Sequence, residues 1–319
     1  MKEKERHNLG SQALPLGGVG GGFIIPTLND LLRMERFVVG ISSRRPVKSL
    51  LLGKHKSHMR GRGLDFEEAR QYVAGDDIRN IDWRVTARTG ITHTKVFTEE
   101  KERPCFIITD LSQSMFFGSK VYTKSFLACQ FAAMAAFEIL HHQDRLGGLV
   151  YGNDSDTFFI PQRSRKALLQ YFNELVVRTE QLAATPQLIG KETGLLSKAL
   201  KRAAGVVKHD YVLLVISDFN QVSEESKLKL VDMARHNDVV LVKINDALEL
   251  QLPHDKLVLS DGDMQLFWQS TKKDAKAKYD SQMNSSAQSF VQEMRTYGIP
   301  TIQLNTAESV EEQVKSYEL

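Results

Sequence analysis

The sequence predicts an α/β fold: a doubly wound, mainly parallel sheet with helices on both faces, preceded by a small N-terminal extension containing strand and loop structure. Three observations carry that prediction. Beyond Pro104, short apolar runs alternate regularly with helical patterns. The runs are short and mainly apolar, as strands buried on both faces must be. The intervals between them are long enough for the crossover helices that parallel neighbours require.

The strands are expected at residues 105–109, 146–151, 211–217, 239–244 and 301–304, and the helices at 120–142, 165–178, 193–207, 223–236 and 272–297. Within the first helix, Phe126, Leu127, Phe131, Met134, Phe137 and Leu140 leave almost no polar face, which predicts the most buried helix of the domain. Ahead of this body, residues 1–60 read as a flexible basic leader with one short helix. Asn29 or Asp30 would cap that helix, and Leu31, Leu32, Met34 and Phe37 would form its apolar side. Residues 61–103 form a segment dense in charges of both signs and expected to pack on the main domain. A strand is expected at 91–98, and residues 104–319 are the main domain.

Composition narrows the class. With 42% hydrophobic and 25% charged residues the chain is of ordinary globular make-up, which excludes wholesale disorder and fibrous architecture. Cys105 and Cys129 lie in apolar runs without a CxxC spacing, so neither a disulfide framework nor a zinc ribbon is expected, and a reducing, cytoplasmic location is. Residues 9–29 are uncharged but rich in glycine and poor in large apolar side chains, and are not expected to span a bilayer. Residues 1–62 carry 12 Lys and Arg against 4 Asp and Glu, whereas the whole chain is only +3. Such a basic arm suits nucleic acid, peripheral contact with an anionic membrane surface, or an acidic partner; a solvated arm is the plainer reading, and nucleic acid is not the expected partner.

Chemistry concentrates after the first expected strand of the body. Asp110-Leu111-Ser112-Gln113-Ser114 places a carboxylate and two hydroxyls at alternate positions of one loop at a strand's carboxyl end, where open parallel sheets bind ligands. These are hard oxygen donors suited to Mg²⁺ or Mn²⁺. Thr193, at the start of an expected helix, and Asp218, just after an expected strand, can complete the set. Helix capping is the competing explanation for each, but at the first loop it accounts for one oxygen group and not three.

The pattern Asp-x-Ser-x-Ser with a distant Thr and a later Asp resembles the metal-ion-dependent adhesion site of von Willebrand factor A domains. That resemblance implies Asp110, Ser112 and Ser114 as the inner ligands, Thr193 and Asp218 as direct or water-mediated ones, and an acidic group of a partner at the open position. A second stretch resembles the conserved block of the bacterial DUF58 family: Gly61-Arg62-Gly63-Leu64-Asp65-Phe66, Arg70, Tyr72, Gly75-Asp76-Asp77-Ile78-Arg79, Ile81-Asp82-Trp83 and Ala87-Arg88. It continues through Asp110 to Met115 and Asp144-Arg145. The resemblance implies an adaptor that works beside a MoxR-type AAA+ ATPase in assembly or maturation of client proteins. Within the block, Asp76, Asp77 and Asp82 alternate with Arg and are expected to form ion pairs, with Phe66, Tyr72 and Trp83 as anchors.

No G-x-x-x-x-G-K-[ST], HExxH or G-x-S-x-G motif occurs, so no nucleotide-hydrolysing, zinc-protease or serine-hydrolase role is expected, and no catalytic residue is assigned. The enzymatic alternative is a Mg²⁺-dependent phosphotransferase or phosphatase using Asp110, against which Ser112 stands where that chemistry resembles D-x-D.

Overall fold

The computed structural model describes residues 25–42, 64–99, 103–184, 194–220, 222–250, 257–260, 265–268 and 289–317. They fall in two compact units: residues 54–103, and residues 1–53 together with 104–319.

In the larger unit, α1 (Leu28–Ser42) is followed by β3 (Cys105–Asp110), α3 (Lys124–His141), β4 (Leu146–Tyr151), β5 (Asp156–Gln162), α4 (Arg165–Ala184), α5 (Leu195–Ala203), β6 (Val212–Ser217), α6 (Glu224–Ala234), β7 (Asp238–Asn245), α7 (Ala247–Leu250), a helix α8 at residues 289–296, β10 (Thr301–Asn305) and α9 (Val310–Tyr317). A short pair, β8 (Leu257–Ser260) and β9 (Gln265–Trp268), is antiparallel.

Six strands form one sheet in the order β10-β7-β6-β3-β4-β5, all neighbours parallel except β4 and β5. This is the mainly parallel, helix-flanked sheet expected from the sequence. Alternation along the strands supplies both faces. Ile107, Val150, Leu214 and Val242 point to one side, where α1, α3 and α4 contribute Leu31, Met34, Phe131 and Phe172. Phe106, Ile108, Leu149, Leu213 and Leu241 point to the other, against Leu200 of α5, Leu230 of α6 and Met294 of α8.

As expected, α3 is buried along nearly its whole length; Ala128, Ala132, Ala133, Ala135 and Ala136 let its backbone lie close to the sheet. Thr123 caps it by accepting from the Phe126 amide. Helix α1 begins with reciprocal bonds between Thr27 and Asp30, buries Leu31, Met34 and Val38, and pairs Glu35 bidentately with Arg165. The remainder of the leader, and residues 272–288 of the helix expected at 272–297, lie outside the described residues.

β5 was not anticipated. It is an edge strand whose pairing with β4 is interrupted by a bulge between Leu146 and Gly148. Pro161 sits in that bulge, and a Cβ on Gly147 would fall 2.6 Å from its ring, so the bulge requires glycine there.

The smaller unit holds more regular structure than the single strand expected at 91–98. β1 (Leu64–Gln71) and β2 (His93–Glu99) form an antiparallel hairpin-like pair, enclosing a 3-10 turn (Ile78–Asn80) and a short helix α2 (Trp83–Thr89). Its second strand starts at His93, since Ile91 lies in the bend that follows the left-handed Gly90. The expected Arg-carboxylate fork is present as Arg70 to Asp76, at 2.7 and 2.9 Å. Asp77 and Asp82 instead cap the 3-10 turn and α2. Trp83 is no anchor: capping by Asp82 makes it the first helical residue, and its side chain is 70% exposed, while the neighbouring Ile81 is buried.

Candidate metal centre

The sheet order reverses at β3, since the chain first adds β4 and β5 on one side and then β6 and β7 on the other. At such a switch point the loops after adjacent strands diverge and leave a crevice. β3 and β6 are neighbours in register, with Thr109 opposite Ile216, so Asp110 and Ser217-Asp218 emerge side by side at the carboxyl edge.

The Asp110–Ser114 loop is fastened at several points. Leu111 and Met115 are fully buried, the Leu111 amide donates to the Tyr151 carbonyl, and the Gln113 amide donates to Asn153 Oδ1 at 2.8 Å. Asp110 Oδ1 accepts from the Ser112 amide at 2.9 Å, and Asp110 Oδ2 accepts from Ser217 Oγ at 2.6 Å. Ser112 Oγ and Ser114 Oγ are 3.3 Å apart. The Ser114 hydroxyl also bonds Asp218, closing the ring of oxygens. The structure therefore brings Asp110, Ser112, Ser114 and Asp218 together. Thr193 lies outside the described residues; α5 is preceded by a left-handed Gly194.

On the β6 side, Phe219 takes a positive φ of 51°, a conformation costly for a bulky residue and typical of strained functional turns. Its buried ring stacks on Phe290 at 5.2 Å, and its amide donates to Ser217 Oγ. That turn aims Asp218 into the cluster. Asp218 Oδ1 accepts from the Asn220 amide; Oδ2 accepts from Asn220 Nδ2 at 3.1 Å and from Lys124 Nζ at 2.8 Å. Lys124 Nζ donates as well to Glu249 Oε1 at 2.6 Å.

Electrostatics separate the two carboxyls. Burial raises the Asp110 carboxyl above the usual range, and the charge of Asp218 pushes it further. Burial also opposes ionisation of Asp218, but the Lys124 ammonium, together with the Asn220 amide and the Ser114 hydroxyl, holds it below the usual range. Nearby Lys243, buried on β7, is lowered by desolvation against the pull of Asp218. Two buried carboxylates and two hydroxyls converging on one spot fit a small hard cation, whose charge would relieve the crowding of Asp110 against Asp218. Among the described residues no group of three His, Cys, Asp or Glu side chains is placed to hold a metal, so any cation here would rely on the serines.

Lys124, Ser217, Asn220, Asn153 and Glu249 were missed from sequence. Two left a signal: Lys124 opens a helix that is apolar nearly all round, and Ser217 ends the wholly apolar run of β6. The cysteines are free and buried, and burial pushes the Cys129 thiol up to about 12, so neither acts as a nucleophile near neutrality.

Fold and site together define a mainly parallel α/β domain with an oxygen-rich cluster at its switch point. The chain belongs to the family described as "Protein of unknown function DUF58", whose model matches residues 68–289. It is 28% identical over 240 residues to uncharacterized proteins of Mycobacterium tuberculosis and Mycobacterium bovis, covering 75% of this chain and 72% of theirs. Among solved structures it is similar to the SpRpn10 VWA domain, with 11% identity, 68% of this chain and 95% of that one covered, and a TM-score of 0.32. A mutant of the PilB minor pilin from Streptococcus sanguinis matches with 9% identity, 72% and 64% coverage, and a TM-score of 0.34. No helix among the described residues is long and apolar enough to cross a membrane.

Proposed function

We propose that this protein is an adaptor that binds other proteins through Mg²⁺ or Mn²⁺ held by Asp110, Ser112 and Ser114, with Thr193 and Asp218 completing the site. The observation that carries the reading is the convergence of both serine hydroxyls and both carboxylates at the switch point. A carboxylate of the partner would fill the open coordination position. By its resemblance to DUF58 proteins, the partner is a MoxR-type AAA+ ATPase or a client matured with it, in the cytoplasm. The basic N-terminal arm suits peripheral contact with a membrane, and nucleic acid is not part of the reading.

A binding role is favoured over phosphoryl transfer because both oxygens of Asp110 already accept protein hydrogen bonds, leaving it poorly disposed for in-line attack. The test is capture of a MoxR-type ATPase on the immobilised full chain with Mg²⁺ or with EDTA. Capture should require Mg²⁺ and disappear in Asp110→Ala, with circular dichroism showing the fold retained. Capture that survives EDTA or the substitution rejects the mechanism, and Mg²⁺-dependent phosphatase turnover lost in Asp110→Asn would reverse the ranking.

A further inference from the structure

Lys124 is the least expected group in the site: a lysine 1% exposed, at the first position of the most buried helix. The turn that delivers it is tight. A Cβ on Gly118 would lie 2.8 Å from the Thr123 Cα, so the chain there has room only for glycine. Nζ is held between Asp218 Oδ2 and Glu249 Oε1, and Asn220 Nδ2 bridges the same two oxygens from another side. Glu249 is in turn fixed by the Asp246 amide, which donates to its Oε2 at 3.1 Å. The Lys124 ammonium also lies 5.9 Å from the Phe117 ring centroid.

The inventory of acceptor positions then becomes informative. A carboxylate offers about four lone-pair sites. Those of Asp218 meet the Asn220 amide, Asn220 Nδ2, Lys124 Nζ and the Ser114 hydroxyl. Asp218 is thus engaged on every side by its own chain, whereas Asp110 has, among the described residues, no cation of the chain beside it and meets hydroxyl and amide donors, from Ser112 and Ser217.

We propose that Lys124 is a built-in cation that competes with the divalent ion for Asp218 and so keeps the affinity of the site low. The inference deepens the cation-dependent reading above and rests on it. With Lys124 in place, Asp218 neutralises the lysine and a divalent ion must rely on Asp110, Ser112 and Ser114. An entering ion of charge +2 also meets the ammonium as a like charge in a poorly screened interior. The ion is therefore held firmly only when a further carboxylate arrives, which makes occupancy conditional on an acidic partner.

The test is Mn²⁺ titration of the full chain followed by the electron paramagnetic resonance signal of free Mn²⁺, with thermal unfolding in EDTA and in Mg²⁺. Lys124→Met removes the cation, and Lys124→Gln removes the charge but keeps a donor toward Asp218, which guards against a methionine variant that fails to fold. Both should bind Mn²⁺ at least about tenfold more tightly than the parent chain, about 1.4 kcal/mol. Both should also melt at lower temperature in EDTA and recover more on adding Mg²⁺. Binding in the variants alone supports the inference and places the parent's affinity below the range titrated. Parent binding with unchanged or weaker affinity in the folded variants overturns the inference and leaves the cation site standing. Absence of binding in all three proteins overturns both.

Discussion

Ser217→Ala separates a functional role for the β6 end from a purely structural one. The hydroxyl donates to Asp110 Oδ2 at 2.6 Å and accepts from the Phe219 amide at 3.2 Å, all within a buried setting. A hydrogen bond to a charged group is worth about 1.5–3 kcal/mol, and an orphaned buried N–H costs about 1–3 kcal/mol more. Partial relaxation of the Phe219 turn offsets some of this, so a loss of about 3 kcal/mol is expected. At about 2–4 °C per kcal/mol for a domain of this size, Tm falls by roughly 6–12 °C. Because Ser217 orients a proposed metal ligand, Mn²⁺ affinity should fall by about 10- to 100-fold. Urea denaturation with Mn²⁺ titration of the same sample measures both quantities. Lost stability with unaltered Mn²⁺ affinity would refute the orienting role, and a change in stability below about 0.5 kcal/mol would refute the hydrogen-bond argument itself.

Phe172, fully buried and edge-on to Phe137 at 5.2 Å, joins α4 to α3, so Phe172→Ala should cost about 3–5 kcal/mol in urea denaturation; a loss under 1 kcal/mol would show that the helix layer collapses around the gap. Trp83→Ser should leave stability within about 0.5 kcal/mol of the parent, because the ring is exposed, and a larger loss would restore it as an anchor.

The body of the fold was legible because strands covered on both faces need apolar runs, and β3, β4 and β6 have them, as does β7 with Lys243 as its one charged interruption between Val239 and Ile244. β5 escaped for the converse reason: it is only half-covered at the sheet edge, and Pro161 argues against a strand unless a bulge accommodates it. β1, with Asp65, Glu67, Glu68 and Arg70, has little strand propensity of its own and is held by pairing with β2. The expected helix at 193–207 is described as Leu195–Ala203, shortened at the left-handed Gly194 and by the turn through Ala204–Val206. Of the site, Asp110, Ser112 and Ser114 share one loop and could be read locally, whereas Asp218 needed the inference that β3 and β6 are neighbours. Lys124 and Glu249 meet across 125 positions, and nothing in the local pattern of either announces the other.

The bulge at Pro161 bears on how the molecule behaves among copies of itself. A sheet margin normally offers a row of amide donors onto which a stray strand can zip. On β5 one of those donors is missing, and the doubled residues opposite Gly147 break the ladder's spacing. Replacing Pro161 with threonine would restore the missing donor, though not the even spacing, and should promote edge-to-edge self-association in concentrated solution.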